Sequence, residues 1–384
     1  MQKLVASDGA ANDRFGSAVS LDGSILAVGV LGDDADEGSI ATICSVYVYV
    51  TDDNGETWIL RQKLTASDGT ADDYFGVSVA VHNCTIVVGA RKDDNEKGTN
   101  AGSVYVFCTH DNGVTWSQKQ KLLVSDGAAG DGFGILVAVH GDTIVAGAVW
   151  DDNAKGEETG AAYVYGTSAG GTMWSQKQKL LASDQTAYDY FGRCVAIYGE
   201  TIVVASDYDD NEKGTDAGAV YLFVTYDSGG TWSQTQKLVA SDGSGGAWFG
   251  HYVAIHNCTI VVGAWYGSNQ NGINAGSVYV FVTHDTRGTW SQMQRLAASD
   301  GGAGDGFGWS VAVHGNTVAV GAWNEDENGA NAGSAYRYVN YDGGLTWSEE
   351  QKLVASDGGT GDQFGFVIAV GVQTIVVGAY QDDN

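Results

Sequence analysis

Residues 75–122 alternate between short hydrophobic runs and clusters of turn residues. Phe75–Val81 and Ser103–Phe107 place apolar residues at alternate positions, and Thr85–Ala90 is a continuous run rich in β-branched residues. A fourth segment, Thr115–Leu122, alternates polar and apolar residues toward its end. Short runs rich in Val, Ile, Tyr and Phe between turn residues are typical of β-strands, and no segment keeps a helical period. The sequence therefore predicts an all-β chain.

The same four-strand unit recurs along the chain, and a Phe-Gly pair marks the start of each first strand. These pairs begin at Phe15, Phe75, Phe133, Phe191, Phe249, Phe307 and Phe364, 57 to 60 residues apart. A fixed period of this length predicts a repeat architecture. Solenoids have shorter repeats, and a sandwich domain needs about 100 residues. We therefore predict one domain over residues 1–384, a seven-bladed β-propeller of four-stranded antiparallel blades.

The two ends of the chain meet in the seventh unit. Gln2–Asp8 has the pattern of a fourth strand, and we expect it to help close the seventh blade. The sequence finishes after the first two strands of that unit. A fourth strand runs parallel to the second and cannot replace the third. Three alternatives remain: the blade is incomplete, a neighbouring chain completes it, or further residues of the same gene complete it. An exposed strand edge would favour self-association.

The ends of the first two strands resemble FG-GAP repeats, the blades of integrin α-chain propellers. Phe75-Gly76 heads one strand and Val87–Ala90 closes the next, and the resemblance covers the whole chain. The family's proline after Gly-Ala is absent. The residues that follow the Ala instead include Arg91, Val149, Trp265, Trp323 and Tyr380. The family's calcium loop between the first and second strands is replaced by a tight turn, so calcium is not expected there.

The turn between the third and fourth strands resembles the Asp-box of sialidases and other propellers. Thr51–Trp58, Thr109–Trp116 and Thr225–Trp232 match it, whereas Ala169 replaces the Asp in the copy at Thr167–Trp174. In such a hairpin the carboxylate accepts turn amides, the Gly takes a positive φ and the Trp packs under the turn. We interpret these turns as structural and not as catalytic.

The composition excludes several function classes. A net charge of −28 argues against nucleic-acid binding and against anionic membrane surfaces. No apolar run of about 20 residues is present, so no membrane-spanning helix is predicted. No signal peptide is visible, and the five cysteines show no metal-binding spacing. The charge suits a cation or a cationic partner.

Carboxylates concentrate in the loops from fourth to first strands and from second to third strands. These loops share one face of a propeller, which we call the loop face. The candidate oxygen ligands for Ca²⁺ there are Asp73, Asp93, Asp94, Asp131, Asp151, Asp152, Asp189, Asp209, Asp210, Asn324, Asp326 and Asn328. In the fifth unit Ala247 and Gly267-Ser268 replace the carboxylates of both loops. This joint loss predicts that the two loops touch.

A structural role for these carboxylates is favoured over calcium binding. Lys97, Lys155 and Lys213 stand where a calcium loop would need an oxygen ligand. Asn324, Asp326 and Asn328 fit a calcium-loop spacing, but the distal Glu is missing. The alternative is that Asp side chains cap turns and that these lysines neutralise them. Ca²⁺ remains the one candidate cofactor.

The loop face also gathers aromatic residues. The candidate ligand-binding residues are Trp150, Trp265, Trp323, Tyr380, Tyr208 and Tyr266. Aromatic rings beside Asp and Asn side chains are typical of carbohydrate recognition, because rings stack on sugar C–H groups while the polar groups bind hydroxyls. The alternative is that the rings only cover the mouth of the propeller, as packing in place of the family's proline.

No catalytic constellation is recognisable. A sialidase-like site needs three clustered arginines, and only Arg91 of the seven Arg falls naturally in the loop-face loops. His82, His140, His256 and His314 recur beside the opposite-face turn, which indicates surface turn chemistry. No Ser or Cys has a recognisable base partner. The chain is predicted not to be an enzyme, and a glycoside hydrolase is the least favoured function.

These observations predict a binding or adhesion module. By its resemblance to integrin-type propellers, it would recognise a glycan or an extracellular protein outside the cell or at the cell surface. The alternative is a structural or self-assembling protein that associates through the incomplete seventh blade.

Overall fold

The computed structural model describes residues 2–9, 13–32, 44–167, 173–285 and 288–382 and consists of β-sheets arranged in a ring. Blades 1 to 3 contain β1 (Phe15–Asp22), β2 (Ile25–Val30), β3 (Ser45–Val50), β4 (Ile59–Leu64), β5 (Phe75–His82), β6 (Thr85–Ala90), β7 (Ser103–Cys108), β8 (Ser117–Leu122), β9 (Val137–His140), β10 (Thr143–Ala148), β11 (Ala161–Thr167) and β12 (Trp174–Leu180). Blades 4 to 6 contain β13 (Val195–Tyr198), β14 (Thr201–Ser206), β15 (Ala219–Val224), β16 (Ser233–Leu238), β17 (Val253–His256), β18 (Thr259–Ala264), β19 (Ser277–Val282), β20 (Ser291–Leu296), β21 (Ser310–His314), β22 (Thr317–Ala322), β23 (Ser334–Asn340) and β24 (Trp347–Leu353). A seventh sheet contains β25 (Phe364–Val370) and β26 (Ile375–Ala379). Every sheet is an antiparallel meander, so the propeller prediction is confirmed.

The first strands are innermost and contact one another around the ring, which closes where β25 and β26 meet β1. The Phe-Gly pair makes a bulge at the head of β1, β5 and β25. In blade 2, Phe75 pairs with Ala90 but Ser78 pairs with Gly89, while Gly76 takes a φ of 87°. The bulge carries the inner strand close to its neighbour. A Cβ on Gly89 would lie 1.9 Å from the carbonyl oxygen of Gly134 in the next blade, so the glycine is required there.

Side chains of the third strands fill the space between blades. In blade 2, Tyr105 and Phe107 face blade 1 and meet the ring of Phe75 edge-on, at centroid distances of 5.4 and 6.1 Å. Val104 and Val106 face blade 3. All four side chains are almost completely buried. Alternation along one strand therefore supplies two different interfaces, which a single sheet could not bury alone.

The prediction of seven four-stranded blades is confirmed in part, because six blades are complete and the seventh sheet is smaller, with two strands in the described part of the chain. Residues 2–8 lie beside blade 1 where the fourth strand of the seventh blade was expected. The Gln2 side chain accepts a hydrogen bond from the Trp58 N–H at 2.8 Å and donates one to its carbonyl at 3.2 Å. Gln62 makes the same pair of bonds to Trp116. The N-terminal segment thus repeats the contacts of a fourth strand without joining a sheet.

Helices long and apolar enough to cross a membrane are absent from the residues that the structure describes.

Candidate ligand-binding face

The two loop types of each unit touch on the loop face, as the joint loss in the fifth unit predicts. The Lys92 N–H donates to the Asp73 carbonyl at 3.1 Å, and the Trp150 N–H donates to the Asp131 carbonyl at 3.3 Å. In the fifth unit a Cβ on Gly267 would lie 3.9 Å from the Cβ of Ala247. The carboxylates at these two positions are therefore close neighbours in the other units.

The first Asp after the second strand is buried and bound to a lysine of the fourth strand. Asp93 accepts hydrogen bonds from Ser103 Oγ at 2.6 Å and Tyr105 Oη at 2.9 Å, and Lys121 Nζ lies 2.9 Å away. Lys121 also donates to Asp68 at 2.8 Å. Two more units repeat this arrangement: Lys179 binds Asp126 and Asp151, and Lys237 binds Asp184 and Asp209.

The lysines predicted to neutralise these carboxylates do not bind them. Lys97, Lys155 and Lys213 donate to backbone carbonyls of the next loop, at 3.0, 3.2 and 2.8 Å. Each reaches a carbonyl 28 residues further along the chain, and the lysine that neutralises the buried Asp comes from the outermost strand of the blade instead. Proximity in sequence suggested the loop lysine, and the sheet brings in the other.

In units two, three, four, six and seven, the Asp two residues before the Phe-Gly pair caps its own loop. Asp131 accepts the Ala128 N–H at 2.7 Å, and Thr186 N–H donates to Asp189 in the same way. Burial, with a smaller effect from Asp151, raises the pKa of Asp131 to about 6. Burial likewise raises the pKa of Asp73 and Asp189.

The second carboxylate of each Asp pair is exposed and caps the following turn. Asp94 accepts the Asn100 N–H at 2.7 Å, Asp152 accepts the Glu158 N–H at 2.7 Å, and Asp210 accepts the Asp216 N–H at 2.9 Å. These bonds are the turn-capping role that Asp and Asn side chains commonly perform.

The sixth unit uses its candidate calcium residues differently. Asp326 accepts the Asn331 N–H at 2.7 Å and Asn328 is exposed, while the Asn324 N–H donates to the Asp305 carbonyl. The buried position belongs to Glu325, which binds Ser334 and Lys352.

The described residues do not form an evident calcium cage. Among them, no group of three or more His, Cys, Asp or Glu side chains is arranged to hold a metal ion. In blades 2, 3 and 4 a lysine ammonium group occupies the place where a cation would sit between the buried and half-exposed carboxylates. The donor set fits lysine and not Ca²⁺, which needs six or more oxygen ligands. Calcium binding stays a prediction that only a binding measurement tests.

A continuous series of partly exposed aromatic rings runs around the loop face from blade 4 to the seventh sheet. We call it the aromatic arc, and its members are Tyr190, Tyr208, Trp248, Trp265, Tyr266, Trp309, Trp323, Phe366 and Tyr380. Trp248 stacks between Tyr208 and Tyr266, at centroid distances of 5.3 and 4.9 Å. Trp309 lies 4.9 Å from both Trp265 and Trp323. The arc therefore joins five of the six aromatic residues that the sequence selects.

Trp150, the sixth predicted aromatic residue, belongs to a separate cluster. The Arg91 guanidinium lies over its ring at 5.5 Å and over the ring of Tyr74 at 5.1 Å. Burial lowers the pKa of Arg91 from its ordinary value. Its Nε is buried and has no hydrogen-bond partner among the described residues.

Sequence reasoning missed the residues that directly follow the Phe-Gly pairs. Arg193, His251, Trp309 and Phe366 occupy this position in units four to seven. The expectation that only Arg91 lies on the loop face is wrong. Arg193 Nε lies 3.6 Å from Asp207, and Arg14 donates to the Tyr380 hydroxyl at 2.8 Å. The sequence does contain a sign of their importance. The residue type after the Phe-Gly pair differs from unit to unit, although the residues on either side of it repeat.

A buried histidine–carboxylate pair lies beside the arc. His251 Nδ1 is 3.0 Å from Asp207 Oδ2, and the imidazole lies against Trp265 and Trp309. Burial lowers the pKa of His251, although Asp207 opposes this effect. Asp207 is 1% exposed, and its Oδ1 has no hydrogen-bond partner within the described part of the chain. A buried acceptor of this kind is costly unless water or a ligand binds it.

The Asp-box hairpins on the opposite face are structural, as predicted. Asp111 accepts the Thr115 N–H at 2.8 Å and hydroxyl bonds from Thr109 and Thr115, while Gly113 takes a φ of 86°. Trp116 is 5% exposed beneath the turn. The substitution at Ala169 lies outside the described residues.

The histidines of the opposite face form a row. His82 stacks on His140 and His256 stacks on His314, with Tyr198 between the two pairs. His140 Nδ1 accepts the Gly199 N–H at 3.2 Å, and His256 Nδ1 accepts the Gly315 N–H at 3.1 Å. These contacts agree with the predicted role in surface turns.

Comparisons with known proteins agree with this architecture. A search of curated protein sequences finds no significant match. The crystal structure of Saccharomyces cerevisiae Sqt1 superposes with a TM-score of 0.52, covering 96% of this chain and 80% of that one at 10% sequence identity. At that identity the likeness concerns the fold alone. The family model described as FG-GAP repeat matches residues 1–49, 58–107, 116–165, 174–223, 232–281, 290–338 and 347–384. This chain, which the matches cover almost from end to end, therefore belongs to the FG-GAP repeat family.

Proposed function

We propose that this propeller is a binding module that recognises a carbohydrate through the aromatic arc. The observation that carries the proposal is the arc itself, a run of partly exposed rings beside a buried carboxylate oxygen that has no hydrogen-bond partner among the described residues. Ring faces stack on sugar C–H groups, and a carboxylate oxygen accepts sugar hydroxyls. An FG-GAP propeller is a suitable scaffold, because the fold presents many loops on one rigid face.

The stack formed by Tyr208, Trp248 and Tyr266 is the accessible part of the arc. Tyr266 is 40% exposed, and its ring is close to parallel with Trp248 at 21°. The rings hold one another in place, so binding a ligand costs little side-chain entropy. Asp207 precedes Tyr208 of this stack in the sequence, and its Oδ2 atom lies 3.0 Å from His251 Nδ1. A hydroxyl-rich ligand on the rings would therefore have an acceptor nearby.

We further propose that the module has no catalytic activity. His251 is enclosed by Trp265 and Trp309, and its lowered pKa keeps the imidazole neutral at physiological pH. The buried carboxylates of the loop face are bound to lysine, serine and tyrosine groups and serve the packing of the loops. A role outside the cell or at its surface follows from the proposed ligand, and a protein that displays the same groups is the alternative partner.

A glycan array followed by calorimetry tests the proposal. Replacement of Trp265 or Trp323 by Ala is expected to weaken binding at least about thirtyfold, the usual effect of removing a central aromatic contact. Tyr266→Ala removes an exposed ring and should leave folding intact while weakening binding. Tyr226→Ala, which removes a ring that is 64% exposed on the opposite face, is the matched control. Unchanged binding by the folded Tyr266, Trp265 and Trp323 variants would refute the proposal.

A self-assembling repeat protein is the second candidate function. The two-stranded seventh sheet favours it, because β26 presents an unpaired edge in the described part of the chain. Light scattering over a hundredfold range of concentration distinguishes the two functions, since assembly predicts a mass that grows with concentration and carbohydrate binding does not.

A further inference from the structure

The guanidinium of Arg91 has no anionic partner, although the chain is rich in carboxylates. The sequence contains 47 Asp and Glu residues against 19 Lys and Arg residues. Lys121, Lys179 and Lys237 of the same face each bind two carboxylates. The Arg91 guanidinium forms no hydrogen bond and no ion pair with the residues that the structure describes. A partly buried charge without a partner is unfavourable, so this exception requires an explanation.

The surroundings of Arg91 hold the guanidinium in place and leave its outer N–H groups accessible. Its central carbon lies 5.1 Å from the ring centre of Tyr74 and 5.5 Å from that of Trp150. Trp150 packs on Gly132, where a Cβ would lie 2.4 Å from the indole. Of the three guanidinium nitrogen atoms only Nε is buried, and contacts with ring faces use no N–H group. Both Nη atoms can therefore donate hydrogen bonds to a ligand.

A second arginine lies close to the first. Arg193 Nε is 3.6 Å from Asp207, which is an ion pair without a hydrogen bond, and the Arg193 side chain is 36% exposed. Burial lowers the pKa of Arg91, and the positive charge of Arg193 lowers it further. The two guanidinium groups therefore repel each other. A negatively charged group that binds both would remove this repulsion and supply the hydrogen-bond acceptors that Arg91 lacks.

Both arginines adjoin the aromatic arc. Arg193 pairs with Asp207, whose Oδ1 atom is the buried acceptor beside the arc. Tyr380, at the end of the arc, has a smaller and opposite effect on the pKa of Arg91, so it also lies near this guanidinium. A ligand that stacks on the arc would therefore have the two positive groups close to its edge.

We propose that the ligand of the loop face is an acidic saccharide, and that the carboxylate of a uronic acid binds the Nη atoms of Arg91 with Arg193 as a second positive group. This inference rests on the proposed carbohydrate function and narrows it to sugars with a carboxylate. The planar fork of a guanidinium matches a carboxylate through two parallel hydrogen bonds. In a uronic acid the carboxylate is attached directly to the sugar ring, so one sugar can stack on the arc and reach an arginine.

The net charge of −28 does not prevent such binding. Repulsion between exposed charges is largely screened beyond about 8 Å at physiological ionic strength. The buried carboxylates of the loop face are already bound by lysines, as Asp93 is by Lys121. The two arginines therefore determine the sign of the charge that a ligand meets beside the arc.

The test compares two trisaccharides that differ only in charge. The probes are trigalacturonate, with three carboxylates, and its uncharged trimethyl ester, and calorimetry measures the affinity of the 384-residue chain for each. The acid should bind at least about tenfold more tightly than the ester, because hydrogen bonds to charged groups contribute about 1.5–3 kcal/mol. The variant Arg91→Gln should lower the affinity for the acid to that for the ester.

The preference for the acid over the ester separates a ligand contact from a structural role. A disturbed loop would weaken both trisaccharides alike, whereas loss of the guanidinium weakens only the acid. Arg61→Gln is the matched control, because it removes the same charge from the fourth strand of blade 1 and should keep the preference. Arg193→Gln should reduce the preference in the same direction, and it carries the test if Arg91→Gln does not fold.

Three results would overturn the inference: equal affinity of the unsubstituted chain for acid and ester, no binding of the acid, or a full preference for the acid in the folded arginine variants. Trp265→Ala tests the arc separately, since it should weaken both trisaccharides and leave the preference unchanged. Neutral glycans that bind through Trp265 without any preference for acids would retain the proposed function and refute this inference. Binding that depends on Arg91 but not on Trp265 would do the reverse.

Discussion

Replacing Asp93 by Ala tests whether the loop-face carboxylates hold the blades together. Asp93 is 1% exposed and accepts bonds from Ser103, Tyr105 and Lys121. Without it, Tyr105 and Lys121 still reach Asp68, at 3.0 and 2.8 Å. The Ser103 hydroxyl is left with no carboxylate to bind. Breaking a buried ion pair costs about 3–5 kcal/mol, and the retained Asp68 contacts lower the expected loss to about 2–4 kcal/mol.

The fifth unit supplies a second variant that makes the argument specific. There Gly267 and Arg295 replace the aspartate and the lysine. Arg295 Nε and Nη2 donate to Ser277 Oγ at 3.0 and 2.8 Å, and Nη2 also donates to the Ser268 carbonyl at 2.9 Å. Arginine thus fills the space that the carboxylate vacates. The double variant Asp93→Ala/Lys121→Arg should therefore recover about 1 kcal/mol of the free energy of unfolding lost by Asp93→Ala.

Urea unfolding followed by tryptophan fluorescence measures both effects. Asp94→Ala, which removes only an exposed turn cap, is the control and should cost less than about 1 kcal/mol. The reasoning is refuted if the double variant is no more stable than Asp93→Ala. It is equally refuted if Asp93→Ala and Asp94→Ala lose the same free energy of unfolding.

Three further perturbations address the pKa shifts, the blade contacts and the calcium prediction. The folded-state pKa of Asp131 is raised from 3.8 to about 6, so the folded chain loses stability as pH rises through this window. The variant Asp131→Asn should remove that loss. Compared with the unsubstituted chain in urea unfolding at pH 4 and pH 7, the variant should gain at most about 3 kcal/mol of unfolding free energy, and only at pH 7. Gly89→Ala places a Cβ against the Gly134 carbonyl and should destabilise by about 3 kcal/mol or more in the same assay, whereas no change would contradict the close approach of the blades. Millimolar Ca²⁺ or EDTA should leave the melting temperature unchanged, because lysines hold the loop carboxylates; a rise of several degrees with Ca²⁺ would establish a metal site instead.

The fold was predictable because each strand signal is repeated in every unit. The second strand of blade 2 was placed at Thr85–Ala90, which are its observed bounds. The fourth strand was expected from Thr115 and begins at Ser117, because Thr115 and Trp116 belong to the Asp-box turn. Periodicity marks where a strand lies, whereas hydrogen bonds of the turn decide where it begins.

The loop face was predictable only in outline. The pattern correctly brought two loops together and collected five aromatic residues in one arc. The repeat pattern could not show that Lys121 binds Asp93, because that contact depends on how the outermost strand pairs with the third strand of its blade. The repeat pattern also gave no sign that His251 and Arg193 contact Asp207. Both residues directly follow a Phe-Gly pair, where the backbone departs from regular strand pairing, so the sequence does not determine the direction of their side chains.

The fifth unit connects the carboxylates to the aromatic arc. It lacks both buried carboxylates, at Ala247 and Gly267, and it carries Trp248, Trp265 and Tyr266 in the same two loops. Its rings lie beside uncharged Ala and Gly and not beside a carboxylate, so we expect the proposed stacking of a ligand to be centred on this unit. Among the described residues, units two, three, four, six and seven keep a lysine-bound carboxylate at this position, whereas the fifth unit has Gly267 there and fixes its loop through Arg295. The variation therefore removes the carboxylate while the loop stays bound.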